Sequence, residues 1–255
     1  MLEHSFHTPL PLTLEVSIPS GDIDVETVDG EETALTVDGD ERMLEHVEVR
    51  HDGNRVVVSL RDKSKVGFSF SLGSLVFGNG GLRVQAGVPH GAGVKVKTAS
   101  ADTAITGRLE ALEANSVSGD VRVRGEVADD ATVKTVSGDI DLERVDGDVS
   151  VQTVSGDLRA RGIAGSADAK SVSGDIRLES LSGGDVRFNS VSGDIEIGIA
   201  PGSVLDVDAG STSGDLSSEV PLASERPADE AAAAAPTVVL RGRTVSGDVR
   251  VFRAG

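Results

Sequence analysis

The tripeptide Ser-Gly-Asp recurs along this chain at intervals close to 18 residues, and this repeat limits the possible folds more than any other feature. The glycines of its successive copies are Gly119, Gly138, Gly156, Gly174, Gly193, Gly214 and Gly247. A degenerate copy, Ser100-Ala101-Asp102, comes before them. A unit this short cannot bury an apolar face by itself, so neighbouring units must stack against each other along an axis.

Each unit contains two short strands and two turns. In the unit of Gly138, Ile140 and Leu142 alternate with acidic residues, as in a strand with one buried face. A second glycine, Gly147, lies nine residues further on, and a second alternating segment, 149–152, follows it. Stacking would align an inward column of Val121, Ile140, Leu158, Ile176, Ile195 and Val249. The sequence therefore predicts an all-β, single-stranded β-solenoid (a β-helix) with about nine coils and a length of roughly 40 Å.

The N-terminal third departs from the regular repeat. Residues 12–40 resemble a divergent copy of it, and residues 46–61 predict a β-hairpin that turns at Asp52-Gly53-Asn54. Solenoids need atypical end units that shield the terminal coil from edge-to-edge association. We therefore divide the chain into a capping region, 1–81, and a solenoid, 82–255.

Two further segments predict loops. Residues 63–81 are rich in Gly and carry Phe68, Phe70 and Phe77, which either plug the solenoid or form an apolar contact patch for a partner. The segment 219–236 begins and ends near prolines and contains a run of alanines, which predicts a surface insertion after which the solenoid resumes.

Composition excludes several classes of function. The chain has no cysteine, so it has neither disulfides nor zinc-thiolate sites, and its formal charge of −18 disfavours nucleic acid and anionic membranes as partners. No signal peptide is visible at the N-terminus, and the most apolar stretch, 66–77, is too short to span a membrane as a helix. These features favour a soluble, cytoplasmic protein, with a surface location left open.

The aspartates of the repeat would form a column of carboxylates about 4.8 Å apart, which must be relieved by hydrogen bonds or cations. The column contains Asp102, Asp120, Asp139, Asp157, Asp175, Asp194, Asp215 and Asp248. A calcium site would use Asp120, Asp139, Asp157, Asp175 and Asp194. The Gly-Gly-x-Gly-x-Asp signature of calcium-binding β-rolls is missing, so we favour a turn role in which each Asp bonds to its own turn, with no metal.

Most units read Thr/Ser-Val-Ser-Gly-Asp, so two columns of hydroxyl side chains precede the glycines. The first column consists of Thr or Ser and the second of Ser, and a Val separates them in most units. They favour hydroxyl hydrogen bonds along the stack over an ice-binding face. The histidines, His4, His7, His46, His51 and His90, are scattered, and we expect His4 and His7 to lie in a floppy tail. No catalytic, cofactor-binding or phosphate-binding motif is present, so we predict no catalytic residue and no cofactor.

From about Leu82 to Phe252 the chain resembles the bacterial putative-adhesin family, a β-strand-repeat domain of unknown function. The resemblance rests on Val88-Pro-His-Gly91, on the successive Val-Ser-Gly-Asp units and on the closing segment 244–251. It implies a single-stranded, right-handed β-helix and an adhesin-like role, and it supplies no catalytic residue.

We therefore predict a non-enzymatic, adhesin-like interaction scaffold that binds a protein or polymer partner as a monomer or small homo-oligomer. One alternative is a structural protein of the bactofilin type, whose uncapped ends would join head to tail. The other is a carbohydrate-active β-helix enzyme with two outward acids on adjacent coils, although the aromatic platforms on which sugars stack are missing.

Overall fold

The computed structural model describes residues 1–61, 81–220 and 236–255, in which nearly all regular structure is β. The strands of the N-terminal half are β1 (Leu2–His7), β2 (Thr13–Val28), β3 (Glu32–Asp38), β4 (Val47–Asp52), β5 (Arg55–Leu60), β6 (Leu82–Pro89), β7 (Ala92–Asn115), β8 (Val121–Val127), β9 (Ala131–Lys134) and β10 (Ile140–Val145). Those that follow are β11 (Val149–Gln152), β12 (Leu158–Ile163), β13 (Ala167–Lys170), β14 (Ile176–Leu181), β15 (Gly184–Ser192), β16 (Ile195–Ile199), β17 (Val204–Ser213), β18 (Leu216–Ser218), β19 (Thr237–Ser246) and β20 (Val249–Arg253). A single helical turn, α1 (Glu41–Leu44), follows β3, and no helix in the described ranges is long and apolar enough to cross a membrane. Phe68, Phe70, Phe77 and most of the insertion 219–236 lie outside the described residues.

Stacked coils form two parallel ladders of strands, which confirms the predicted β-solenoid. The first ladder contains the strands that follow each Ser-Gly-Asp, in the order β8, β10, β12, β14 and β16. The second contains the strands of the half-repeat, in the order β9, β11, β13 and β15. Ile140 lies between Val121 and Leu158, and all three side chains are buried. The inward column therefore has the register that the repeat predicts.

At the N-terminal end, the coil formed by β2 lies inside the stack. Its residues 13–26 pair with residues 93–106 of β7 on one side, and β5 and β6 pair with it on the other. The predicted hairpin is present as β4 and β5, while β3 and then β1 extend β6 in antiparallel orientation. The expectation of a floppy tail at His4 and His7 is wrong, because β1 pairs with β3 along its whole length.

The C-terminal coil also lies inside the stack rather than at its end. Strand β19 pairs with β15 on one side and β17 on the other, and β20 pairs in the same way with β16 and β18. Residues 237–253 therefore rejoin the parallel ladders. The last coil of the chain nevertheless enters between the two coils that precede it in sequence.

The glycines of the repeat allow neighbouring corners to approach closely. A Cβ on Gly156 would lie 2.0 Å from the carbonyl oxygen of Gly138, and one on Gly138 would lie 2.1 Å from that of Gly119. Only some corner glycines, such as Gly193 and Gly247, have a positive φ (119° and 130°). The glycine column therefore exists chiefly to let corners stack, and relief of backbone strain is needed at only a few positions.

The core between the ladders is almost wholly aliphatic, with one large ring among the fully buried side chains of the described residues. Phe188 fills the position that Ala169 and Gly242 occupy on the neighbouring coils. A Cβ on Gly242 would lie 2.5 Å from Phe188 Cδ1. The small residues on either side thus make room for the ring.

Candidate interaction surface

The Thr/Ser residue of most regular corners points inward and hydrogen-bonds within its own turn, whereas the buried Ser171 Oγ has no hydrogen-bond partner among the described residues. The hydroxyl of Thr135 is buried and accepts the backbone N–H of Gly138 at 2.9 Å, and Ser116 does the same for Gly119 at 2.9 Å. The prediction of hydroxyl bonds along the stack is therefore wrong for this column. The second hydroxyl column, formed by the serine before each glycine, does bond along the stack. For example, Ser137 Oγ donates to the carbonyl of Val117 on the preceding coil at 3.3 Å.

The aspartates of the repeat hydrogen-bond from one coil to the next. The backbone N–H of Asp157 donates to Asp139 Oδ1 at 3.0 Å, and the N–H of Asp175 donates to Asp157 Oδ1 at 2.9 Å. The same bond joins Asp102, Asp120, Asp139, Asp157, Asp175, Asp194, Asp248 and Asp215, in that spatial order. The predicted bond to the residue's own turn is thus replaced by a bond to the neighbouring coil.

This ladder involves every aspartate considered for calcium. Each of these residues accepts a backbone N–H with one carboxylate oxygen; they are Asp120, Asp139, Asp157, Asp175 and Asp194. Within the described ranges, no three His, Cys, Asp or Glu side chains are grouped so that they could hold a metal ion. Each of these carboxylates therefore has a structural role, as the acceptor of a backbone N–H, and this role requires no cation.

Between the two hydroxyl columns runs a line of exposed valines, which we call the valine stripe. Its members are Val117, Val136, Val154, Val172, Val191 and Val245. Each keeps between 44% and 53% of its surface exposed, although valine is usually a core residue. The C-terminal coil extends the line because β19 lies beside β15. Six valines on successive coils make a stripe about 25 Å long.

The two sides of the valine stripe differ in charge. On one side, two residues before each valine, lies the lysine column, which consists of Lys97, Asn115, Lys134, Gln152, Lys170, Asn189 and Arg243. On the other side lie the exposed serines and then the aspartate ladder. The polar groups on one flank are therefore cations and amides, and those on the other are hydroxyls and carboxylates.

Some cations of the lysine column have acidic neighbours on their own face. Lys170 pairs with Asp168 at 2.9 Å. Lys95, which donates a hydrogen bond to Glu113 at 3.0 Å, lowers the pKa of that carboxyl, and the charge of Lys97 adds to the effect. Lys134 and Arg243 have no ion pair within the described part of the chain. A shallow groove of about 390 Å³ runs between the valine stripe and Lys97 and Lys134.

A larger groove, of about 730 Å³, lies at the opposite corner of the coils. Arg144 and Arg161 line it, but they pair with Asp146 at 2.8 Å and with Asp141 at 3.0 Å. Glu143 accepts the backbone N–H of Gly125 at 2.8 Å. These three charged groups already have partners within the protein. The groove therefore leaves fewer unpaired groups for binding a ligand, and the valine stripe is the better candidate for a contact surface.

The structure also brings His90 to Thr27 and Asp29, a grouping that the sequence does not reveal because 63 residues separate His90 from Thr27. Thr27 Oγ1 lies 2.6 Å from His90 Nδ1, and His90 Nε2 lies 3.4 Å from Asp29. Thr27 is 6% exposed, and its hydroxyl also accepts the N–H of Arg108, while Asp29 is fully exposed. A substrate could not reach this hydroxyl, so the contact fits a structural clasp better than a nucleophilic site.

Comparisons with known proteins agree with this architecture. The family model described as Toastrack DUF4097 matches residues 12–252. A putative adhesin from Bacteroides fragilis NCTC 9343 superposes with a TM-score of 0.55, at 15% identity over 98% of this chain and 96% of that chain. A putative lipid binding protein from Parabacteroides distasonis ATCC 8503 gives 0.57, at 14% identity over the same shares. No curated protein is significantly similar in sequence. At such identities the two structures share the fold alone.

Proposed function

The chain belongs to the Toastrack DUF4097 family, and we propose that it is a non-enzymatic, adhesin-like interaction scaffold whose contact surface is the valine stripe. The observation that carries the proposal is the repetition of an exposed valine at one position on six successive coils. Covering a half-exposed valine is worth about 1 kcal/mol. A partner that covers all six therefore gains several kcal/mol before the cost of association is subtracted.

The corner itself does not require valine. The equivalent position is Ala99 on one coil and Thr212 on the coil at the other end of the described stack. Threonine has nearly the same shape as valine and also suits a strand. A hydroxyl would serve better than a methyl group at a solvated corner with only a structural role. The run of valines therefore supports a surface selected for contact.

We also propose that residues 1–81 cap the solenoid formed by 82–255. Antiparallel strands β3 and β4 flank β6 and β5 at this end, so the parallel ladders cannot continue into another molecule without displacing them. This favours a scaffold over head-to-tail assembly of the bactofilin type. Light scattering that shows long filaments would contradict the capping role.

The contact surface can be tested with the variant V136T/V154T/V172T, which removes apolar surface while keeping shape. The matched control V28T/L216T changes two exposed apolar residues outside the stripe. Proteins or polymers captured from the host should bind the parent and the control but not the triple variant. Equal capture by all three proteins would rule out the stripe as the contact surface.

A further inference from the structure

We infer that the valine stripe pairs with the same stripe of a second copy of this chain, the two solenoids lying parallel and related by a two-fold axis along the stripe. The inference rests on the proposed role of the stripe as a contact surface and names its partner. Three features of the stripe lead to it: its spacing, the charges on its two sides and its size.

The spacing of the stripe selects the kind of partner that can follow it. Valines recur about every 4.8 Å along the stack, which is the distance between neighbouring strands. An extended peptide lying along the stripe would present side chains on one face about every 6.7 Å, and a helix would advance about 5.4 Å per turn. Both lose register within a few residues. A second β-solenoid keeps the same spacing over the whole stripe.

The charges on the two sides select the orientation of that second solenoid. A two-fold axis that lies along the stripe places the lysine column of each copy against the serine and aspartate side of the other. At the coil of Val136, Lys134 then faces Ser137 and Asp139 of the second copy. At the coil of Val172, Lys170 faces Ser173 and Asp175 in the same way. A two-fold axis across the stripe would instead set lysine against lysine and aspartate against aspartate. Only the parallel arrangement brings opposite charges together.

The size of the surface indicates how strong the pairing is. From the lysine column to the aspartate ladder, five residue steps span roughly 15 Å, so the surface measures about 25 by 15 Å. This is small beside the ~800 Å² per partner of a standard stable interface. We therefore expect pairing that depends on protein concentration rather than a permanent dimer.

Single introduced cysteines test both the contact and its direction, because the chain has no cysteine of its own. In the parallel arrangement every stripe residue lies opposite itself, so V117C alone and V245C alone should each form disulfide-linked dimers under mild oxidation. The control A104C places a cysteine at an exposed position of β7, beside Arg122 of β8 and away from the stripe. A dimer yield for V117C several-fold above that of A104C is the expected result. Equal yields, or dimers only when V117C and V245C are mixed, would overturn the proposal.

A charge exchange provides a second measurement by sedimentation over a range of concentrations. The variant K134E/K170E makes the lysine column acidic, and S137K/S173K makes basic the two serines that face those lysines in the pair. Each variant alone should self-associate several-fold less than the parent, and an equimolar mixture should recover the association. Unchanged association in either variant would count against paired stripes.

The two proposals fail differently. If the cysteine and charge variants show no pairing while V136T/V154T/V172T still loses its captured partner, self-pairing is wrong and the scaffold proposal stands. If the triple variant keeps its partner, the stripe is not the contact surface and both proposals fail.

Discussion

The aspartate ladder allows a sharp test of why its carboxylates are tolerated at such close spacing. Asp157 accepts one backbone N–H from the next coil at 2.9 Å, and a hydrogen bond to a charged acceptor contributes about 1.5–3 kcal/mol. Each of its two neighbouring carboxylates, about 4.8 Å away, repels it by about 0.9 kcal/mol in water before salt screening. The attractive and repulsive contributions are therefore similar in size.

Two substitutions at this position separate these contributions. D157N keeps an oxygen that can accept the N–H of Asp175 and removes both repulsions, so its free energy of unfolding should stay within about 0.5 kcal/mol of the parent. D157A removes the repulsions but also leaves that N–H without its acceptor, so it should be less stable than the parent by about 1 kcal/mol. Since the chain has neither Trp nor Tyr, urea unfolding should be followed by far-ultraviolet circular dichroism.

The control D168N changes a carboxylate outside the ladder that pairs through Oδ2 with exposed Lys170, and it should cost about 0–1 kcal/mol. Salt should stabilise the parent more than D157N, because it screens a repulsion that the variant lacks. The reasoning is refuted if D157N is destabilised as much as D157A. It is equally refuted if calcium stabilises the parent but not D157N, since the carboxylates would then hold a cation.

Three further predictions, one of them with a control substitution, test the corner and the core by the same unfolding assay. Gly156→Ala should be strongly destabilising because its Cβ would lie 2.0 Å from a backbone oxygen, whereas Gly210→Ala, with no atom within 4 Å, should be nearly neutral; equal effects would contradict the close-approach role of the glycine. Phe188→Ala should lower the free energy of unfolding by about 3–5 kcal/mol through the cavity it leaves, and a loss below about 1 kcal/mol would show that the ring is not a packed core residue. Thr135→Val should cost about 1 kcal/mol because the N–H of Gly138 loses its acceptor, and no measurable loss would mean that this turn bond contributes little.

The sequence predicts the middle of the stack well and its two ends poorly. In the regular units, alternation and a constant repeat length determine both the buried side and the partner, so Ile140 is correctly placed between Val121 and Leu158. At the ends, equivalent coils can stack in more than one order because each carries the same inward pattern. The entry of β19 and β20 between earlier coils therefore cannot be derived from the repeat.

The candidate surface is visible in the sequence but easily misread. In each Thr-Val-Ser-Gly-Asp corner, hydrophobicity alone would place the valine inside and the threonine outside. The structure does the reverse, because the alternation of β9, in which Ala131 and Val133 are buried, continues through buried Thr135 to exposed Val136. The inward hydroxyl of Thr135 is satisfied by the backbone N–H of Gly138. The contact of His90 with Thr27 depends on long-range stacking, which local patterns do not record.

The out-of-order C-terminal coil also has a mechanical consequence. A tensile load applied at residue 255 reaches β20 and then β19, and each of these strands is bonded to neighbours on both sides. Such a strand must break two rows of hydrogen bonds together, whereas a strand at an edge detaches one row at a time. Under tension the C-terminal segment is thus clamped, and the coil 204–218, with described neighbours on one side only, offers less resistance.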